Sequence, residues 1–153
     1  MPFTIEFSLE LEKERIRFTN SKLNWYKEHK YNISLPKDLE KEFNSENYLK
    51  AKEQIQESLK ELSAFLNKLK ETTNKPVEKE YIIILTKYGT GGSYNPPNKI
   101  IVNISNKERI IETIKHEIVH LALEQEVKEK ALSHEEKENL IHKTLEKLSR
   151  FSP

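Results

Sequence analysis

Lys115-His116-Glu117-Ile118-Val119-His120-Leu121 is the run from which the rest of this 153-residue chain can be read. Residues four apart on an α-helix lie nearly above one another, so His116 and His120 can direct two imidazoles at one ion, and Glu117 falls beside them. A carboxylate in that position can take a proton from an attacking water and pass it to a leaving amine. The same spacing can arise by chance in a charged helix, so the flanking residues matter. Ile110, Ile111, Ile114, Ile118 and Leu121 form one apolar face, and His116, His120, Leu123 and Val127 form a stripe almost opposite. A helix covered on both sides keeps its histidines at a cleft, where buried imidazoles need partners.

The chain length fits one domain with a real core. Apolar content of 35% beside 33% charged residues predicts long solvated helix faces. A net charge of +1 gives no electrostatic case for nucleic acid or an anionic membrane. There is no cysteine, so a metal must be held by His and carboxylate. No basic leader precedes an apolar run and no stretch is long enough to span a bilayer, so a cytoplasmic protein is expected.

Working outward from the motif, Ser105 or Asn106 caps its helix, which is expected to run from about 107 to 130. Ser133 and Glu136 form a capping box that starts another helix near His134, ending about Phe151. Its apolar positions are Leu140, Ile141, Leu145 and Leu148. Extended backwards, that periodicity lands on Glu138, a carboxylate where an apolar residue is expected. A charge on a buried stripe must be paired or bind metal, which makes Glu138 the third ligand candidate and His134 its rival.

Upstream, Tyr81-Ile82-Ile83-Ile84-Leu85 and Lys99-Ile100-Ile101-Val102-Asn103-Ile104 read as strands. All three glycines lie between them, in Tyr88-Gly89-Thr90-Gly91-Gly92-Ser93-Tyr94-Asn95-Pro96-Pro97. This segment is either a plain hairpin connection or a substrate-binding edge, in which Gly91, Gly92, Ser93 and Tyr94 leave room for a peptide backbone to pair. Asn44-Ser45-Glu46 begins an amphipathic helix expected to reach Glu71, with Tyr48, Ile55, Leu59, Leu62, Leu66 and Leu69 as its stripe. Ser34-Leu35-Pro36 reads as a helix start, and residues 21 to 30 as a short helix with Leu23, Trp25 and Tyr26. From Phe3 to Leu11 apolar residues alternate, a strand period, although helix from about residue 8 is the alternative.

His116-Glu117-Ile118-Val119-His120 followed by a carboxylate from a later helix resembles the gluzincin clan of zincins. The glycine-rich segment leading into the Ile100 strand, the short chain, and Leu132-Ser133-His134-Glu135-Glu136-Lys137-Glu138 look most like the small single-domain minigluzincins. The resemblance covers about residues 45 to 150, leaving 1–44 as an N-terminal extension packed on a catalytic domain of 45–153. It implies an α+β, zincin-like fold: a small mixed sheet with an edge strand along the cleft, a backing helix, an active-site helix and a C-terminal glutamate helix. By that likeness His116, His120 and Glu138 bind Zn2+ and Glu117 is the general base of a metallopeptidase acting on a peptide or protein substrate.

One position departs from the pattern. Thermolysin-like gluzincins carry an acid four residues after the ligand Glu, and here His142 stands there, so Glu112 is the substitute candidate for orienting a histidine. Tyr88, Tyr94, His134 and His142 are candidates to stabilise a developing oxyanion. The alternative function is a metal-binding regulatory or interaction module without useful turnover, or a latent enzyme held by its own ends, residues before 45 or the tail 150–153.

Overall fold

The computed structural model describes residues 2–150. Four strands form a mixed sheet in the order β1-β2-β4-β3, made of β1 (Phe3–Glu6), β2 (Tyr81–Thr86), β3 (Gly92–Asn95) and β4 (Lys99–Asn103). β1 and β2 are parallel, as are β2 and β4, whereas β3 is antiparallel to β4 and forms an outer edge. The register sets Ile83 beside Ile100 and Leu85 beside Val102. All four are fully buried, while Ile82, Ile84 and Ile101 between them are only half-buried. One face of the sheet is therefore the core face, which is the period-2 consequence of strand geometry. The chain is α+β, and among the described residues no helix is long and apolar enough to cross a membrane.

The helices are α1 (Leu9–Ser21), α2 (Leu23–Glu28), α3 (Leu39–Glu42), α4 (Ser45–Glu57), α5 (Leu59–Thr73), α6 (Ile110–Glu129) and α7 (His134–Arg150), with a single turn of 3-10 helix at Lys107–Arg109 leading into α6. Tyr48, Ala51 and Ile55 of α4, Leu62, Leu66 and Leu69 of α5, and Ile110, Ile114 and Ile118 of α6 fill the core against the sheet. Asn106 caps the turn before α6 by accepting from the Glu108 amide at 3.2 Å. Ser133 and Glu136 form the expected reciprocal box, with each side chain accepting from the other's amide at 3.1 and 3.0 Å.

The strand period from Phe3 stops at Glu6, and the alternative of a helix from about residue 8 is the one that forms, because the Ser8 hydroxyl accepts from the Leu11 amide at 3.0 Å. Two expectations are corrected. The helix expected over 45–71 is two: Ser58 ends α4, where its amide bonds the Ile55 carbonyl three residues back, and its own carbonyl starts α5 by accepting from Leu62. No helix begins at Ser34-Leu35-Pro36. The backbone of Ser34 is taken up by a two-way bridge to Gly89, and α3 starts later behind the Asp38 cap. Phe151, the expected end of the last helix, and the rest of the tail lie outside the described residues.

The stretch 1–44 contributes to the interior as well as to the surface. β1 is a strand of the sheet, and Phe3 stacks on Tyr81 at 5.7 Å between ring centroids. From α1, the buried Glu12 carboxylate accepts from the hydroxyls of Tyr48 and Thr86 and from the Lys87 amide. One side chain thereby joins α1, α4 and the end of β2. Glu12→Ala removes the acceptor of the buried Tyr48 hydroxyl, of the part-buried Lys87 amide and the nearer of two acceptors of Thr86, so unfolding free energy is expected to fall by about 3 kcal/mol. Glu12→Gln, which keeps one acceptor oxygen, is expected to cost less, and urea denaturation of both variants checks the ranking.

Candidate metal centre

Helix α6 is packed on both sides. Its core face meets the sheet, and the opposite side meets β3 and α7. His116, Glu117 and His120 stand on that second side. Their ligating atoms all lie within 4.8 Å of one another, and the two Nε2 atoms are 3.1 Å apart. Helix α7 brings Glu138 across: its Oε2 is 3.7 Å from His116 Nε2 and its Oε1 is 3.5 Å from His120 Nε2. The periodicity that singled out Glu138 thus corresponds to a side chain aimed at the histidine pair.

Two carboxylates approach the pair, and they differ in setting. Glu138 is half-buried and faces both Nε2 atoms, whereas Glu117 is buried at 5% exposure with its Oε2 unpartnered. Four-coordinate zinc with bonds of about 2.0–2.1 Å holds its ligand atoms about 3.3 Å apart. The three separations among His116, His120 and Glu138, from 3.1 to 3.7 Å, bracket that value. The donor set, two imidazoles and a carboxylate with no thiolate, is one that zinc accepts. The residues fit a metal ion.

The titration behaviour follows from the crowding. Burial drives Glu117 up to about 7, with the neighbouring Glu138 charge adding to the rise and His116 opposing it. Burial drives His120 down to about 3, leaving it neutral with lone pairs to donate. His116 is raised, chiefly by its hydrogen bond to Glu138 and against its own burial. Glu138 is held well below the usual carboxylate range: burial pushes it up, and the His116 hydrogen bond and His120 outweigh that.

The glycine-rich segment forms the facing wall. A Cβ on Gly92 would sit 2.5 Å from Thr113 Cγ2 and 3.1 Å from Glu117 Oε1, so glycine is what allows β3 to lie against α6 at the motif. Gly89, at φ +80, packs against the Arg15 guanidinium in the same way. The Tyr94 ring stacks on His120, with centroids 4.7 Å apart and planes at 15°, while its hydroxyl donates to Glu124 at 2.9 Å. Ser93 is occupied on its side chain by Arg15, and Gly91 has open space where a Cβ would stand. With the motif these residues line a cleft of about 720 Å3.

The remaining candidates separate. His134 and His142 line the cleft, and the His142 ring lies 6.0 Å from that of His116. Tyr88 does not line it: the residue is buried, and its carbonyl accepts from Arg15 Nε at 3.2 Å. Glu112 does not replace the missing acid. It pairs with Lys115 at 3.8 Å, and the buried His120 Nδ1 has no hydrogen-bond partner among the described residues.

Several residues of the cleft were invisible to pattern reading. Arg15, buried on α1, donates to Tyr88 O, Thr90 Oγ1 and Ser93 Oγ and so fixes the strand edge, although no periodicity marks it. Phe18, Lys22, Trp25 and Tyr31 line the cleft from the N-terminal side, and Tyr31 Oη is 3.0 Å from His134 Nε2. Lys137 also lines it, with Nζ 5.8 Å from the centre of the Tyr94 ring.

A pH signature follows from Glu117. Its folded value of about 7 stands above the ordinary 4.5, so the stability contributed by its neutral form is complete below 4.5 and lost as pH rises through 7. Glu117→Gln does not ionise. In a chelator it should unfold like the wild type below pH 4.5 and become relatively more stable above pH 7. The expected gain is on the order of 3 kcal/mol. Comparing urea midpoints at the two ends of that range reads Glu117 together with its coupling to His116, and a difference that does not change with pH would contradict its burial as an acid.

Set against family models, curated proteins and solved structures, the chain matches none of them.

Proposed function

We propose that this chain is a zinc-dependent peptidase of gluzincin type on a zincin-like fold, with His116, His120 and Glu138 as metal ligands and Glu117 as general base. The observation that carries the reading is the reach of Glu138 from α7 to both imidazoles, at 3.7 and 3.5 Å. A chance pair of histidines on a helix gives no reason for a second helix to aim a carboxylate at both.

Zinc bound there supplies Lewis acidity, which polarises a peptide carbonyl and acidifies water. The protein does the rest. Glu117 sits beside the ligands without needing to be one, and its proton affinity, raised to about 7 by burial, suits a group that takes a proton and returns it near neutral pH. The proton leaves the attacking water for Glu117 and then passes to the departing amine. β3 has no strand on its outer edge among the described residues, so an extended peptide can add there, alongside Gly91, Gly92, Ser93 and Tyr94. The Tyr31 and His134 pair, on the α7 side of the same cleft, can donate to the oxyanion that develops on the carbonyl.

A second reading is favoured by one observation. A ligating imidazole usually donates its other N–H, and His120 Nδ1 has no acceptor among the described residues. On that reading the metal is held more weakly, and the chain is a metal-binding module that recognises peptides without cleaving them.

Metal analysis and a quenched-fluorescence peptide library separate the two. The wild type should bind one zinc ion and cleave, and a chelator should abolish cleavage. Glu117→Gln should retain zinc and lose about 100-fold or more of the rate. Glu138→Ala should lose zinc affinity by about 100-fold or more. Cleavage by Glu117→Gln at the wild-type rate would exclude this base, and stoichiometric zinc with no cleavage of any peptide would favour the module.

A further inference from the structure

Five large apolar side chains are exposed among the described residues, and three of them, Phe18 at 45%, Trp25 at 37% and Tyr31 at 38%, line the same cleft as the histidine motif. Isolated exposed apolar residues are ordinary, but a group gathered on one wall of a cleft marks a binding surface. These three come from α1, α2 and the segment after α2, so the wall is built by the N-terminal part of the chain and faces a cleft whose other boundaries are β3, α6 and α7.

The wall is held in place. Trp25 stacks on His29 at 3.9 Å and on Tyr31 at 5.6 Å, and His134 of α7 meets Trp25 edge-on at 5.3 Å. Tyr31 bonds His134, and just beyond it Ser34 is bridged in both directions to Gly89. The aromatic rings are thus tied to the glutamate helix at one point and to the glycine-rich segment at another. Rings ordered before a ligand arrives cost little entropy on binding, which is why Trp and Tyr dominate recognition surfaces.

We infer that Phe18, Trp25 and Tyr31 form a side-chain subsite, and that the peptide added along β3 is selected for an aromatic residue that packs into it. The inference rests on the peptidase reading for the peptide's path and adds its specificity. An aromatic side chain is favoured over an aliphatic one because ring pairs add stabilisation beyond the area they bury. An acidic side chain gains no ring pairing from this wall and would have only Lys22 beside Phe18 to meet its charge. Phe18 and Trp25 therefore act on substrate choice alone, whereas Tyr31 also belongs with His134 to the proposed oxyanion pair.

Trp25 is the only tryptophan of the chain, so its emission reports occupancy of the wall without any turnover. The experiment uses the full-length, zinc-loaded Glu117→Gln protein and short capped alanine-based peptides carrying a single Phe, Leu or Asp. The Phe peptide should shift or quench Trp25 emission and bind roughly 2- to 10-fold tighter than the Leu peptide, with the Asp peptide weakest. Phe18 has no ring partner among the described residues and is 45% exposed, so Phe18→Ala should fold normally by circular dichroism. It should weaken the Phe peptide by about 5-fold or more and the all-alanine parent by clearly less. Equal affinities for the three peptides, an unmoved Trp25 signal, or a Phe peptide indifferent to Phe18→Ala would each overturn the subsite. Phe-selective binding with no cleavage by the wild-type zinc protein would remove the peptidase reading and keep the subsite; cleavage without discrimination would do the reverse.

Discussion

Two imidazole nitrogens 3.1 Å apart, with one carboxylate 3.5 to 3.7 Å from them and a second on the same helix, put several lone pairs into one poorly solvated space. Groups of that kind repel unless something positive sits among them. Lys137 and Arg15 supply part of it and protons supply more: His116 and Glu117 hold theirs more tightly than usual, while His120 stays neutral. A divalent cation would relieve the same repulsion with no proton at all. The rest of the structure can be seen as the scaffolding that keeps these groups from moving apart. α6 cannot turn because its opposite face is core, and β3 presses on the motif because Gly92 lets it.

The scaffolding is polar where it reaches the cleft. Glu12 and Arg15, one turn apart on α1 and both buried, each make three side-chain hydrogen bonds to residues 86 to 93 or to Tyr48. An apolar α1 could pack on the sheet, but it could not dictate where the backbone of the glycine-rich segment runs. The buried charges achieve that positional control at the cost of desolvation, which is visible in the lowered proton affinity of Arg15. Thus the N-terminal stretch orders the strand edge on which, in the proposed function, a peptide would lie.

What could be read in the residues was local. The histidine pair follows from a spacing of four, the α7 start from a box of four residues, and Glu138 from a break in an apolar period, all within single helices. What escaped depends on partners far along the chain. Arg15 meets Thr90 across 75 positions and Tyr31 meets His134 across 103, and neither residue is unusual in its own neighbourhood. The misread start at Ser34 has the same origin, since its backbone is claimed by Gly89. The break at Ser58 was hidden for another reason: the apolar stripe runs through it uninterrupted in sequence, and only the three-back hydrogen bond reveals the change of direction.

The parallel pairing of Phe3 with Tyr81 has a consequence for how the molecule is assembled. β2, β4 and β3 and the helices around them can find one another over short separations, but β1 must wait for a partner made long after it. Closing so long a loop costs entropy before any contact repays it, and such non-local pairings slow folding. On the ribosome, β1 and the aromatic wall behind it would emerge well before β2 and dock late, onto a sheet and motif helix already formed. The cleft would therefore exist in an open form, with His116, His120 and Glu138 in place, before residues 3–31 close one side of it.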